Sequence, residues 1–241
     1  MSLQLLEFAQ FSKTRSLLAL KYSLPVCLIL ALFFISFSQL DLMVSHLFFR
    51  DIASNPDQLL GFWLAQSPLL RFVCKAVDVV SRLALFSSML IFVWYLFKKN
   101  ARAFYAAIVL FSLLAGPLYM VNGVFKEEWG RARPNTVEQF SGAKKFTTAW
   151  QMTNQCEHNC AFTSGHAAAG FALCVAFFVS RRKVWLPAGI ALGASIGVVR
   201  IVMGAHFLSD VIFSFFLVFI SSAIVTYLLS QITLKFLNHR A

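Results

Sequence analysis

The chain has 241 residues, 59% of them hydrophobic and only 13% charged, with a mean hydropathy of +0.73. A water-soluble domain of this length is not so apolar, so the sequence reads as one integral membrane domain over residues 1–241, an all-α bundle of spanning helices. The net charge of +11 would suit nucleic acid, but its placement excludes that partner.

An apolar stretch of about 17–25 residues crosses a bilayer. Six segments reach or approach this length: Tyr22–Leu42, Arg82–Phe97, Ala103–Val124, Ser164–Ser180, Trp185–Met203 and Phe207–Leu234. Basic clusters fall between them at Lys13, Arg15 and Lys21, at Lys98, Lys99 and Arg102, at Arg181, Arg182 and Lys183, and at Lys235 and Arg240. These eleven residues are accompanied by one acid, Glu7, whereas the other ten basic residues are nearly balanced by nine acids. The excess charge therefore lies in segments that share one face of the membrane, as the positive-inside bias requires. Six spans would place both termini on the cytoplasmic side, with Val44–Ser81 and Phe125–Thr163 outside.

The first span follows Lys21 like a signal peptide, but no small-x-small site comes after it. The chain continues Gln39, Leu40, Asp41, Leu42, so an uncleaved signal anchor is expected. In the second span Arg71, Lys75, Asp78 and Arg82 recur every three or four residues among apolar neighbours, which makes one polar stripe on a helix. A helix from Pro68 to Lys98, at about 1.5 Å per residue, would outreach a ~30 Å hydrocarbon core. Its first turns would stand among the headgroups, either lying in the interface or forming one wall of a lateral portal for a lipid. In the third span Gly116-Pro117 predicts a kink.

Three stretches on the outer side carry the chemistry: Lys126–Pro134 (KEEWGRARP), Thr163–His166 (TSGH) and Arg200–Asp210 (RIVMGAHFLSD). Lys126 and Arg133 alone would pass for a juxtamembrane basic cluster. They lie, however, where the positive-inside bias does not call for cations. Arg131 shares the stretch, and Glu127 and Glu128 are equally available to pair with it. Arginine offers a planar fork suited to two phosphoryl oxygens, and lysine a compact charge. In the second stretch Thr163 or Ser164 would cap a helix. The same helix start has free N–H groups that accept phosphate, and Gly165 permits close approach. In the third, His206 and Asp210 are four residues apart and share a helical face. A carboxylate on one ring nitrogen would fix the tautomer and leave the other nitrogen free to attack or to take a proton. Each stretch has a bland explanation; charge at the ends of three separate spans invites a functional one.

The order Lys-x6-Arg-Pro, Ser-Gly-His, Arg-x5-His-x3-Asp resembles the type 2 phosphatidic acid phosphatase (PAP2) superfamily, directly over Lys126–Asp210. Thr163 stands where that family usually has proline, and Val199 where it often has serine. The resemblance implies an outward-facing active site. In it Lys126, Arg133 and Arg200, helped by Ser164 and the Gly165 N–H, would hold the phosphoryl oxygens. His206, oriented by Asp210, would attack phosphorus to form a phosphohistidine, and His166 would protonate the leaving oxygen and then activate water. Three cations can neutralise the spread charge that metal ions neutralise elsewhere. No carboxylate cluster suggests a metal, so activity without metal or other cofactor is expected.

Cys27, Cys74 and Cys174 read as packing residues. Cys156 and Cys160, in the outer loop, suit a disulfide in an oxidising compartment; a metal site through His158 would lack a fourth ligand. Trp129–Pro134, Phe140-Ser141-Gly142, Phe146–Trp150 and Asn159-Cys160 are similar, more loosely, to bacterial lipid A phosphatases within the superfamily. This likeness implies an inner-membrane enzyme acting on an anionic phosphorylated lipid, with Lys144 and Lys145 near its headgroup. Undecaprenyl pyrophosphate, phosphatidylglycerol phosphate and phosphotransfer to another lipid use the same chemistry. A transporter of a phosphorylated compound is the rival from another class, disfavoured because binding alone needs neither His166 nor His206.

Overall fold

The computed structural model describes residues 2–50 and 61–239; Arg240, the last of the basic clusters, and residues 51–60 of the first outer segment lie outside them. The helices in chain order are α1 (Ser2–Ser36), α2 (Gln39–His46), α3 (Pro68–Phe97), α4 (Ala103–Glu128), α5 (Gly165–Val179), α6 (Trp185–Val202) and α7 (Leu208–Asn238). Between α2 and α3, β1 (Phe49–Arg50) pairs antiparallel with β2 (Gly61–Phe62), Phe49 opposite Phe62.

Against the six spans expected, five helices are long and apolar enough to cross a membrane: Leu3–Ser36, Pro68–Phe97, Ala103–Glu128, Trp185–Val202 and Leu208–Asn238. The fourth apolar segment forms the shorter helix α5. At ~1.5 Å per residue it falls short of a ~30 Å core, and a 3₁₀ stretch at Ala172–Val175 lengthens it slightly. Its far end is anchored from α1. Arg15 Nη1 donates to the carbonyls of Phe177 and Ser180, each at 2.5 Å, a cation meeting the negative end of a helix. The first helix thus begins well before Tyr22, and its charged turns clamp α5.

The long amphipathic helix runs from Pro68 to Phe97, with Ser67 accepting from the Leu70 N–H as its cap. Leu69, Phe72, Val79, Val80, Leu83 and Phe86 are exposed on it, an apolar surface suited to lipid contact. The kink expected at Gly116-Pro117 appears as a change of helix type. α4 is α-helical to Leu113 and π-helical over Leu114–Phe125, with Pro117 inside. Proline has no N–H to donate, and the wider turn accommodates the break. Asn122 Nδ2 donates to the Pro117 carbonyl at 2.7 Å.

The helix α7 is the central post, packed along α1, α4 and α5. Near its N-terminal end Phe34, Phe125, Phe162, Phe213 and Phe216 form a buried cluster, bordered by Trp129 and Trp150 through ring contacts of 5 to 6 Å. α5 and α6 touch through small residues, since a Cβ on Gly170 would lie 2.7 Å from the Gly193 Cα. These contacts bring the ends of α4 and α6 and the starts of α5 and α7 together.

Candidate active site

The Lys126–Pro134 stretch leaves α4 and turns back under itself. Gly130 has φ +69°, a left-handed position that favours glycine. The turn directs Arg131 inward and Arg133 toward the surface. Arg131 is wholly buried. Its Nη2 is 2.8 Å from Asp41 Oδ2 and its Nη1 2.5 Å from Asp210 Oδ1. Nη1 also donates to Ser209 Oγ at 2.9 Å, and Nε to the Thr147 carbonyl at 3.0 Å. Burial opposes its charge, but Asp210 and Asp41 outweigh that and hold the guanidinium pKa above its ordinary value.

The second stretch is bound to the third. Ser164 Oγ accepts from the Ala167 N–H at 3.4 Å, capping α5, and the Ser164 N–H donates to the Asp210 carbonyl at 3.3 Å. Gly165 lies against the first stretch: a Cβ there would come 2.5 Å from Asn122 Oδ1 and 3.2 Å from Lys126 Nζ. A larger residue would force the Asn122 amide aside and crowd the lysine. Lys126, Gly165 and His166 share a cavity of about 270 Å³ with Asp78 and Arg82 of α3 and apolar residues such as Leu85 and Leu118. Asp78 Oδ1 is 3.3 Å from His166 Nε2. That nitrogen nonetheless has no aligned hydrogen bond among the described residues, so the contact is an electrostatic one.

His206 is buried at the turn between α6 and α7. Its Nδ1 meets the Ala161 carbonyl at 2.7 Å. A carbonyl only accepts, so Nδ1 carries the hydrogen and Nε2 carries the lone pair. Nε2 has no hydrogen-bond partner among the described residues. Burial, then the charges of Arg133, Arg200 and Lys126, push the imidazole well below its ordinary pKa of 6.5. It is therefore neutral, with a free nitrogen, at neutral pH.

The cations around it keep donors free. Arg133 engages Nε and Nη2, both on the Asn159 carbonyl; burial, then Arg200, lower its pKa. Arg200 spends Nη1 on Cys74 Sγ at 3.2 Å and leaves its buried Nε without a hydrogen bond among the described residues. Cys74 is thus more than a packing residue.

Several sequence expectations need correcting in detail. Asp210 does not hold His206 by a direct hydrogen bond: its Oδ2 is 3.7 Å from Nδ1 and accepts the Phe207 N–H at 2.7 Å instead. The backbone at Ala161 is nearer and takes the ring hydrogen. Arg131 pairs with neither Glu127 nor Glu128; Glu127 receives the Asn159 N–H and lies 3.3 Å from His158 Nδ1. Ser164 uses its hydroxyl as the cap. The disulfide expected between Cys156 and Cys160 is present, Cα atoms 5.6 Å apart. Among the described residues no group of three His, Cys, Asp or Glu side chains is placed to hold a metal. Asp41, which receives both the N–H and the hydroxyl of Ser209, and Asp78 were not singled out as site residues. Asp41 gives no sequence signal beyond being an acid at the end of an apolar segment, and Asp78 none beyond its place in the polar stripe of α3.

A bundle of apolar helices whose ends converge on two imidazoles and several cations defines an integral membrane protein built to handle a phosphoryl group. A sequence profile of the PAP2 superfamily matches residues 105–234. The chain is 34% identical, over 212 residues, to the lipid A 4'-phosphatase of Francisella tularensis subsp. novicida, covering 84% of this chain and 91% of that one. A protein of the same name from Rhizobium etli is 42% identical over 103 residues, 42% of this chain and 40% of that one. Another from Rhizobium leguminosarum is 41% identical over 108 residues, 44% and 46% of the two chains. No solved structure matches the chain. The chain belongs to the PAP2 superfamily and is a metal-independent lipid phosphate phosphatase.

Proposed function

We propose that the enzyme removes a phosphate from the headgroup of lipid A through a covalent phosphohistidine on His206. The reading places it in a bacterial inner membrane with six spans, both termini cytoplasmic and the site facing outward. The free Nε2 of His206 carries the proposal, because it stands beneath Lys126, Arg133 and Arg200 with the opposite nitrogen fixed. In this reading Nε2 attacks phosphorus in line with the ester oxygen, the N–P bond forming as the P–O bond breaks. His166 gives its proton to the leaving lipid oxygen. It then takes a proton from water, whose oxygen attacks the phosphohistidine, releasing phosphate and restoring His206. The three cations, with Ser164 and the Gly165 N–H, balance the charge on the phosphoryl oxygens.

The names of the three relatives favour the 4'-phosphate of lipid A as the bond cleaved. Open apolar surface on α3, beside a cavity that reaches Lys126 and His166, supports entry of the lipid from the bilayer side. The test is phosphate release by the purified chain from lipid A, undecaprenyl pyrophosphate and phosphatidylglycerol phosphate in detergent. Lipid A is expected to turn over fastest, losing its 4'-phosphate. His206→Ala is expected to lower the rate at least ~10⁴-fold, the scale of removing a nucleophile, while remaining membrane-inserted. Full turnover in both His206→Ala and His166→Ala would remove the mechanism, and preference for another lipid would remove the substrate.

A further inference from the structure

One short segment, Asn159–Ala161, is bonded to the first and third chemical stretches at once. The Cys160 N–H donates to the Lys126 carbonyl at 3.0 Å and the Ala161 N–H to the Arg131 carbonyl at 2.9 Å. The Ala161 carbonyl takes the His206 ring hydrogen. Asn159 grips Arg133 three times. Its carbonyl accepts from Nε at 3.1 Å and Nη2 at 2.7 Å, and its Oδ1 accepts from Nη2 at 2.8 Å. All of these occupy one edge of the guanidinium. Among the described residues every hydrogen bond of Arg133 uses Nε or Nη2, which leaves both Nη1 hydrogens for a ligand.

We propose that Asn159, held by the Cys156–Cys160 disulfide, is a positioning residue that presents the open edge of Arg133 to the phosphoryl group. The inference rests on the phosphatase reading above. Three local facts fit Asn159 to the task. Its backbone is left-handed, φ +53°, a conformation that asparagine tolerates better than most residues. Its N–H donates to Glu127 Oε1 at 3.3 Å, which ties it to the end of α4. The disulfide closes a five-residue loop with no regular secondary structure and exposed from Glu157 to Asn159, the kind of segment that otherwise opens at little cost. The redox state of the two cysteines would thereby be coupled to how well Arg133 meets phosphate.

The experiment uses the full chain purified in detergent, with inorganic phosphate as the probe. Its inhibition constant and the rise in melting temperature it causes are measured for wild type, Asn159→Gly, the Cys156→Ser/Cys160→Ser double variant and Arg133→Ala. Glycine keeps the left-handed backbone and the carbonyl but loses Oδ1. For Asn159→Gly, phosphate inhibition is expected to weaken about three- to tenfold, the net worth of one ordinary hydrogen bond, with KM rising in parallel and kcat within about twofold. The double cysteine variant should weaken it about as much or more. So should dithiothreitol, which gives up two hydrogens to leave two thiols and closes to its own cyclic disulfide. A merely structural role would lower the active fraction, and hence the apparent kcat, at unchanged KM and unchanged phosphate constant; that result overturns the proposal. If Arg133→Ala also leaves phosphate binding unchanged, Arg133 is not a phosphate ligand and the assignment fails with it. If wild type releases phosphate from no lipid and is not stabilised by phosphate, the phosphatase reading itself has failed.

Discussion

Arg131 and Arg133 stand two residues apart and are used in opposite ways. Arg131 is sealed in a cage: two carboxylates, a hydroxyl and a carbonyl take its hydrogens, and its guanidinium lies 4.5 Å from the Phe207 ring centroid. Among the described residues Arg133 is bonded on one edge only, and it is partly open. Arg200, on the far wall, likewise keeps Nε unbonded among the described residues. A saturated cation holds elements together, here α2, the loop between α4 and α5, and α7. An unsaturated one has charge left for a ligand. The site is thus layered, with a neutralised cage beneath His206 and an underneutralised clamp around it.

The cage should break hardest. Removing one partner of a buried ion pair leaves an uncompensated charge, at a cost of about 3–5 kcal/mol. Arg131→Met strands Asp41 and Asp210 and should lower stability by about that amount, seen as a fall in the detergent melting temperature of many degrees and the loss of most folded protein. Asp41→Asn should do less, because Ser209 can still donate to the amide oxygen. A stable, fully active Arg131→Met protein would show that the cage does not organise the site.

The clamp should respond in the other direction. Arg200→Ala removes a cation whose bonds are to Cys74 and Met203 sulfur atoms, so little folding energy is lost and the relief of like-charge repulsion offsets part of the lost packing. Activity should fall ~10²–10³-fold, the usual effect of deleting a donor that stabilises transition-state charge. Kinetics and a melting curve on the same preparation check both halves. A large loss of stability with modest loss of activity would place Arg200 in the cage instead.

This layering explains how much of the molecule was legible in the sequence. Hydropathy located the apolar helices, and spacing located Lys126, Arg133, His166, Arg200 and His206, because a period and a motif are local. The polar stripe also pointed to a second helix longer than Arg82–Phe97, with Pro68 as a conditional start, and the helix does begin there. The cage was not legible. Asp41 and Arg131 are 90 residues apart in the chain, and nothing about Asp41 distinguishes it from another acid ending an apolar run. The partner of His206 Nδ1 was invisible for a different reason: it is a backbone carbonyl, which every residue has. Asp210 was legible as belonging near His206, but its carboxylate is committed to Arg131 and to the Phe207 N–H. It shapes the turn that carries the histidine more than it holds the ring.

The smallest expected effect lies in the pH dependence of stability, and it comes from the boundary between the two layers. His206 is buried, and its pKa is held well below 6.5 by burial and by the three clamp cations. In the unfolded chain the imidazole protonates near its ordinary value of about 6.5. Below that pH the unfolded state binds the proton and the native state does not, so stability falls as pH falls and is unaffected above it. His206→Asn, which cannot titrate there, should therefore unfold less steeply with acid between about pH 6.5 and 5 than wild type, with the two curves parallel above pH 7. Adding Arg200→Ala to a chain with His206 intact should soften the same acid limb, since one of the charges depressing the imidazole is gone. If the acid limb is identical in all three proteins, His206 titrates alike in both states and the clamp does not act on it.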